Sequence, residues 1–158
     1  MAFLTQRGFS FGLSSGIITT LGLMVGLFSG TQSKLAVLGG ILTIAVADAF
    51  SDSLSMHISE EAQNKLTDKQ IWKSTLFTFL AKLFFALIFV VPIIVFALGT
   101  AVIINIFLGI IILVIYNYIV ARRENKKPIK IISEHLFITI IVIILTYFIG
   151  DVINKYFV

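Results

Sequence analysis

From Leu83 to Ala121 the chain runs for 39 residues without one charged side chain. As a single helix that run is about 58 Å long, roughly twice the ~30 Å hydrocarbon core of a bilayer. One straight span is therefore excluded. A reversal near Ala97-Leu98-Gly99-Thr100 divides the apolar stretch into two spans, about 71–96 and 101–120. Pro92 falls inside the first, where it bends a helix rather than ends it. Composition points the same way: 58% of residues are hydrophobic and 13% charged, against about 25% charged in a soluble domain. Mean hydropathy is +1.06. The fold class expected is all-α and membrane-embedded.

Three more segments have the length and apolarity of a span, at about 9–28, 35–58 and 131–156, giving five in one transmembrane domain. The first is too long and glycine-rich for a cleaved leader, and no hydrophilic domain follows it. With five spans, nine of the twelve basic residues fall on one side: Arg7, Lys65, Lys69, Lys73, Arg122, Arg123, Lys126, Lys127 and Lys130. Lys34 and Lys155 fall on the other, and Lys82 lies within a span. A bias of this kind orients the basic side to the cytoplasm, so the N-terminus is expected inside and the C-terminus outside. The net charge of +4 then belongs to the membrane orientation and not to a nucleic-acid partner. Having no cysteine, the chain has no disulfide framework and no thiolate chemistry. HExxH, GxSxG and Walker motifs are absent too, so no enzyme is expected.

Ionisable groups inside the hydrocarbon region are costly and mark candidate functional sites. The second span carries Asp48, Asp52 and Met56 at i, i+4 and i+8, on one face of a helix, with Ser51 and Ser55 flanking. Two carboxylates one turn apart offer oxygen ligands to a divalent cation, and a thioether adds the softness that favours Fe²⁺ over Mg²⁺. Their mutual repulsion also lets protons compete with metal. Lys82, about mid-depth in the third span, is the natural charge partner; the same three charges also read as a purely structural ion pair that sets helix register. His57, Glu60 and Glu61 continue from that helix toward the cytoplasm, either as an access funnel for cations or as a solvated helix end. Glu134, His135 and Asp151 sit at helix ends, where charge is ordinary. In the first span Gly12 and Gly16, and then Gly22, Gly26 and Gly30, recur every four residues, the spacing of a close-packing face. Ser14, Ser15, Thr19 and Thr20 place hydroxyls beside it, so packing and pathway lining both remain open for Ser15, Gly16 and Thr19.

The first two spans resemble the vacuolar iron transporter family. The text that carries the resemblance is Gly12-Leu13-Ser14-Ser15-Gly16-Ile17-Ile18-Thr19-Thr20-Leu21-Gly22-Leu23-Met24-Val25-Gly26-Leu27, with Gly39-Gly40-Ile41 and Ala47 through Met56. The resemblance implies a homodimer whose first helices line a central pathway. It also implies Fe²⁺ or Mn²⁺ moved out of the cytoplasm against protons, with metal as cargo and no permanently bound cofactor. Three positions depart from the family pattern: Ser15 stands where the family has an aspartate, Asp52 where it has a methionine, and Ile44 where it has a glutamate. The segment Ser59 to Gln70 is too short for the family's glutamate-rich cytoplasmic domain. The chain thus reads as a divergent prokaryotic member in the cell membrane. The expected metal ligands are Asp48, Asp52 and Met56; the alternatives are a non-transporting scaffold and a carrier of another small solute.

Overall fold

The computed structural model describes residues 2–157, and helices occupy nearly all of them: α1 (Ala2–Thr31), α2 (Lys34–Glu61), α3 (Asp68–Ile88), α4 (Val90–Val95), α5 (Leu98–Arg123) and α6 (Pro128–Phe157). Five segments are long and apolar enough to cross a membrane: Gln6–Thr31, Lys34–Glu61, Asp68–Val95, Leu98–Arg123 and Pro128–Phe157. Each extends a few residues beyond the sequence expectation. Apolarity alone marks where the hydrocarbon is, whereas backbone hydrogen bonding carries a helix on until a capping signal stops it.

Those signals are visible. Thr67 starts α3, its backbone N–H donating to Gln70 Oε1 at 2.9 Å. After α5, Asn125 adopts φ 53°, and the next N–H, of Lys126, donates back to Ala121 O at 2.9 Å, the bond of a Schellman stop. Pro92 acts as expected. It removes an N–H and crowds the carbonyl four residues back, and the helix is interrupted only at Phe89, whose φ −70° and ψ −14° stay right-handed.

By contacts the chain divides into two compact units, both of which draw on α1 and α2. The first takes α1 up to Thr20 together with Ile41–Val90; the second takes Leu21–Gly40 and everything from Val91 onward. In the first, the glycines of α1 press on α3. A Cβ at Gly12 would run into the Thr78 carbonyl oxygen and lie 3.0 Å from Ala81 Cβ, and one at Gly16 would lie 3.0 Å from Lys82 O. In the second, α1 meets α6: a Cβ at Gly22 would lie 2.7 Å from Val142 Cγ1, and one at Gly30 3.4 Å from Gly150 Cα. No described glycine has positive φ, so their use is close approach and not backbone freedom.

Burial is inverted relative to a water-soluble protein. Large apolar side chains such as Phe84, Phe107, Ile111, Phe137, Phe148 and Ile149 are exposed, while Ser74, Thr78, Lys82, Asn105, Asn117 and Thr139 are buried. Lipid solvates the outside, and most polar groups turn inward or bond locally. Hydroxyls within the spans return to carbonyls of their own helix, as Thr19 does to Ser15 O at 2.9 Å and Thr139 to His135 O at 2.7 Å. The chain is a multi-pass membrane protein.

Candidate functional site

Three helices of the first unit meet at Lys82. The residue is 1% exposed, and its ammonium finds three partners. It lies 2.6 Å from Asp48 Oδ2, donates to Ser15 Oγ at 2.8 Å, and forms a close ion pair with Asp52 Oδ2. Ser15 Oγ in turn donates to Asp52 Oδ2 at 2.7 Å. The ammonium donates hydrogen bonds to Ser15 and Asp52, while Asp48 Oδ2, buried and without a hydrogen bond of its own, is held by charge alone.

The geometry follows from three local patterns. Asp48 and Asp52 share a face because they are one helical turn apart. Lys82 reaches them because Gly12 and Gly16 let α1 approach the α3 backbone, which brings Ser15 alongside. Burial is unequal: the side chains of Asp48 and Asp52 are 25% and 20% exposed, whereas that of Lys82 is 2% exposed. The acids are accessible and the base is sealed.

Of the residues singled out in the sequence, Asp48, Asp52, Ser15 and Lys82 come together, and Gly16 packs against the Lys82 backbone. Thr19 is half-buried and spends its hydroxyl on the Ser15 carbonyl. Met56 lies one turn beyond Asp52, half-buried. Among the described residues no group of three or more His, Cys, Asp or Glu side chains is placed to hold a metal ion. The acids therefore form a two-carboxylate site with an internal cation.

The proposed access residues behave as three different groups. Glu61 is exposed. His57 is half-buried, with Nδ1 3.0 Å from Thr75 Oγ1. Thr75 gives its own hydrogen to Ile71 O at 2.9 Å, so Nδ1 is assigned as the donor and Nε2 keeps the lone pair. The imidazole also meets the Trp72 ring edge-on at 4.6 Å. Glu60 is neither funnel wall nor solvated helix end: it is 1% exposed and accepts a hydrogen bond from Ser74 Oγ at 3.0 Å. Ser74, Thr78 and Lys82 form a polar stripe at i, i+4 and i+8 on the buried face of α3. Only Lys82 of these was singled out from sequence, although the spacing of two hydroxyls before it was the signal.

A groove of about 750 Å³ between α2 and α3 is lined by Phe50, Leu54, His57, Trp72, Leu76 and Phe79 among others. None of its lining residues belongs to the Lys82 cluster. In the second unit the ion pairs, Lys126 with Glu124 and Lys130 with Glu134, are exposed, and the contacts between helices are uncharged: Asn105 Nδ2 donates to Met24 Sδ at 3.2 Å, and Asn154 Nδ2 to Gly30 O at 3.0 Å. Lys34 is the exception at an exposed edge, its ammonium reaching the Ile94 and Phe96 carbonyls, each at 3.1 Å, where α4 ends.

Set against known families, residues 52–151 match the profile of the VIT family. The matched stretch begins at Asp52 and takes in Glu60, Ser74 and Lys82; Ser15 and Asp48 lie ahead of it. No curated protein and no solved structure matches the chain.

Proposed function

The chain belongs to the VIT family, whose profile covers more than half of its length, and on that premise we propose that it carries divalent transition-metal ions, Fe²⁺ or Mn²⁺, out of the cytoplasm in exchange for protons. The observation that carries this reading is the Lys82 cluster: two partly exposed carboxylates on a membrane span, held by a sealed ammonium that a metal ion would displace. Asp48 and Asp52 are the metal ligands, Met56 a softer ligand one turn on, and Ser15 and Thr19 the hydroxyls along the path.

Charge balance supplies the mechanism. Buried net charge is expensive. Two carboxylates, the ammonium and one proton sum to zero. So do two carboxylates and a divalent cation, once Lys82 has given up its proton. Passing from the first state to the second takes up one metal ion and releases two protons, and the reverse step resets the site with Lys82 as the charge switch. The expected family aspartate is missing at Ser15, but an acid stands across the same contact, since Ser15 hydrogen-bonds Asp52. The same reading makes the protein a homodimer in a prokaryotic cell membrane; the nine-to-two distribution of basic residues supports a cytoplasmic N-terminus.

Metal uptake into proteoliposomes under a pH gradient tests the proposal. Asp48→Asn combined with Asp52→Asn is expected to reduce Mn²⁺ flux to the level of empty vesicles; equal flux in the native and double-substituted proteins refutes the site. A second reading has its own support, because the Lys82 ammonium is paired with both acids and hydrogen-bonded to Ser15, as in a purely structural network. On that reading the double substitution changes stability, and no metal shifts the melting temperature of the native protein.

A further inference from the structure

The Lys82 cluster is not the only buried charge in the first unit. Glu60 stands on α2 three turns from Asp48 and two from Asp52, and it is 1% exposed. Its Oε1 accepts from Ser74 Oγ at 3.0 Å; its Oε2 is buried and has no hydrogen-bond partner. No salt bridge reaches it among the described residues. The charged or titratable side chains nearest in sequence on the three helices that meet at this corner are His57 and Glu61 on α2, Lys73 on α3 and Arg7 on α1. His57 is engaged by Thr75, Lys73 Nζ lies 6.0 Å over the Phe77 ring, and Glu61 and Arg7 are exposed.

A buried carboxylate with one hydrogen bond and, among the described residues, no ion pair is among the costliest arrangements a protein can hold. A positive charge on Oε2 removes that cost. A metal ion does not suit the place, because hard cations require about six oxygen ligands, and among the described residues Ser74 is the hydroxyl that bonds this carboxylate. Around this corner the backbones are also tight: a Cβ at Gly8 would run into Ser74 O and lie 2.9 Å from Thr78 Oγ1. A proton needs neither the space nor the ligands. Access is short as well, since the next residue, Glu61, is exposed and ends the helix.

We propose that Glu60 is a proton-carrying carboxyl group separate from the metal-binding acids, and that it takes up and gives back a proton exchanged for metal. The inference rests on the carrier reading above and adds to it: Asp48, Asp52 and Lys82 exchange the cation for two protons, and Glu60 carries a further one at the end of the span. Ser74, Thr78 and Lys82 lie on one buried face of α3, so the two sites are the ends of a single polar stripe. A change of charge at either end reaches the other through one rigid helix.

Infrared spectroscopy of the purified protein reads the proton directly and requires no transport. The native protein is expected to show the carbonyl-stretch band of a buried carboxylic acid that Glu60→Gln lacks. Ser74→Ala keeps the acid but removes its hydrogen-bond donor, and is expected to shift that band without abolishing it. In vesicles loaded with a pH-sensitive dye, E60Q is expected to lower the number of protons moved per Mn²⁺ while Mn²⁺ still crosses, whereas D52N lowers the Mn²⁺ flux itself. A band unchanged in E60Q, or a native proton-to-metal ratio in that variant, overturns the assignment. If the native chain moves no metal, the carrier reading falls while the infrared comparison still decides whether Glu60 holds a proton.

Discussion

The two units use one packing device for opposite ends. In both, small residues along α1 let a second helix approach almost backbone to backbone: Gly8, Gly12 and Gly16 against α3, and Gly22, Gly26 and Gly30 against α6. In the first unit the approached backbone belongs to Ser74, Thr78 and Lys82, and the buried polar set there includes Lys82 and Glu60. In the second the approached backbone belongs to Thr146 and Gly150, and the buried polar set, Ser29, Asn105, Asn117 and Thr139, is uncharged. Close approach therefore does not create a site. It becomes one where the approached helix carries charge, because there the excluded lipid and water leave an ion nothing but protein to pair with.

Removing the charge from the first unit is the strongest way to break this contrast. Lys82→Met strands two carboxylates in a span and is expected to cost about 3 kcal/mol, the low end for a broken buried pair because both acids are partly exposed. Thermal unfolding in detergent reads the loss, and adding D48N and D52N is expected to recover most of it; a K82M protein as stable as the native one removes the basis of the comparison. The glycines come next. Gly12→Ala drives a methyl group into the Thr78 carbonyl and is expected to cost about 1–3 kcal/mol by overpacking. Gly26→Ala meets Thr146 O at an ordinary 3.4 Å and is expected to lie within about 0.5 kcal/mol of native. Equal melting temperatures for the two would show that the contact at Gly12 is no tighter than that at Gly26.

Smaller effects sharpen the picture. Ser15→Ala removes one bridging hydroxyl between Lys82 and Asp52 and is expected to cost about 1 kcal/mol, with Mn²⁺ flux reduced but measurable in proteoliposomes. Asn105→Leu in the second unit takes away a bond to a thioether and is expected to change stability by less than about 1 kcal/mol. Its flux should match the native value. Lost transport in N105L would place function in the unit that holds no buried charge.

Much of the fold was legible before any coordinates. An uncharged stretch twice the bilayer thickness demands a reversal, and the break falls at Ala97, which precedes α5. The i, i+4 spacing of Asp48 and Asp52 put them on one face, and Lys82, the charge at mid-depth in its span, was their evident partner. Two features were not legible. Glu60 sits at a helix end amid Ser59, Glu61 and Gln63, where composition predicts a solvated turn. Lys34 looks like a simple surface charge but closes the carbonyl end of α4. Both depend on which way a side chain at a helix terminus points, and one helix alone leaves that undetermined.

What the sequence by itself determined was everything that depends on period and length. That includes the five spans, the reversal, the faces of the helices and the bias of basic residues, because lipid imposes length and a helix imposes 3.6 residues per turn. What only the tertiary structure decided was partnership. The two glycine runs on α1 are six residues out of step and so lie on faces about 120° apart, but only the fold decides that the first face serves α3 and the second α6. Ser15 was a hydroxyl on one helix until the approach of α3 set it between Lys82 and Asp52. Such contacts join residues far apart in the chain, 67 positions for Ser15 and Lys82 and 124 for Gly30 and Asn154, and they follow from which backbones come close enough to exclude lipid. Periodicity along a single helix carries no record of that.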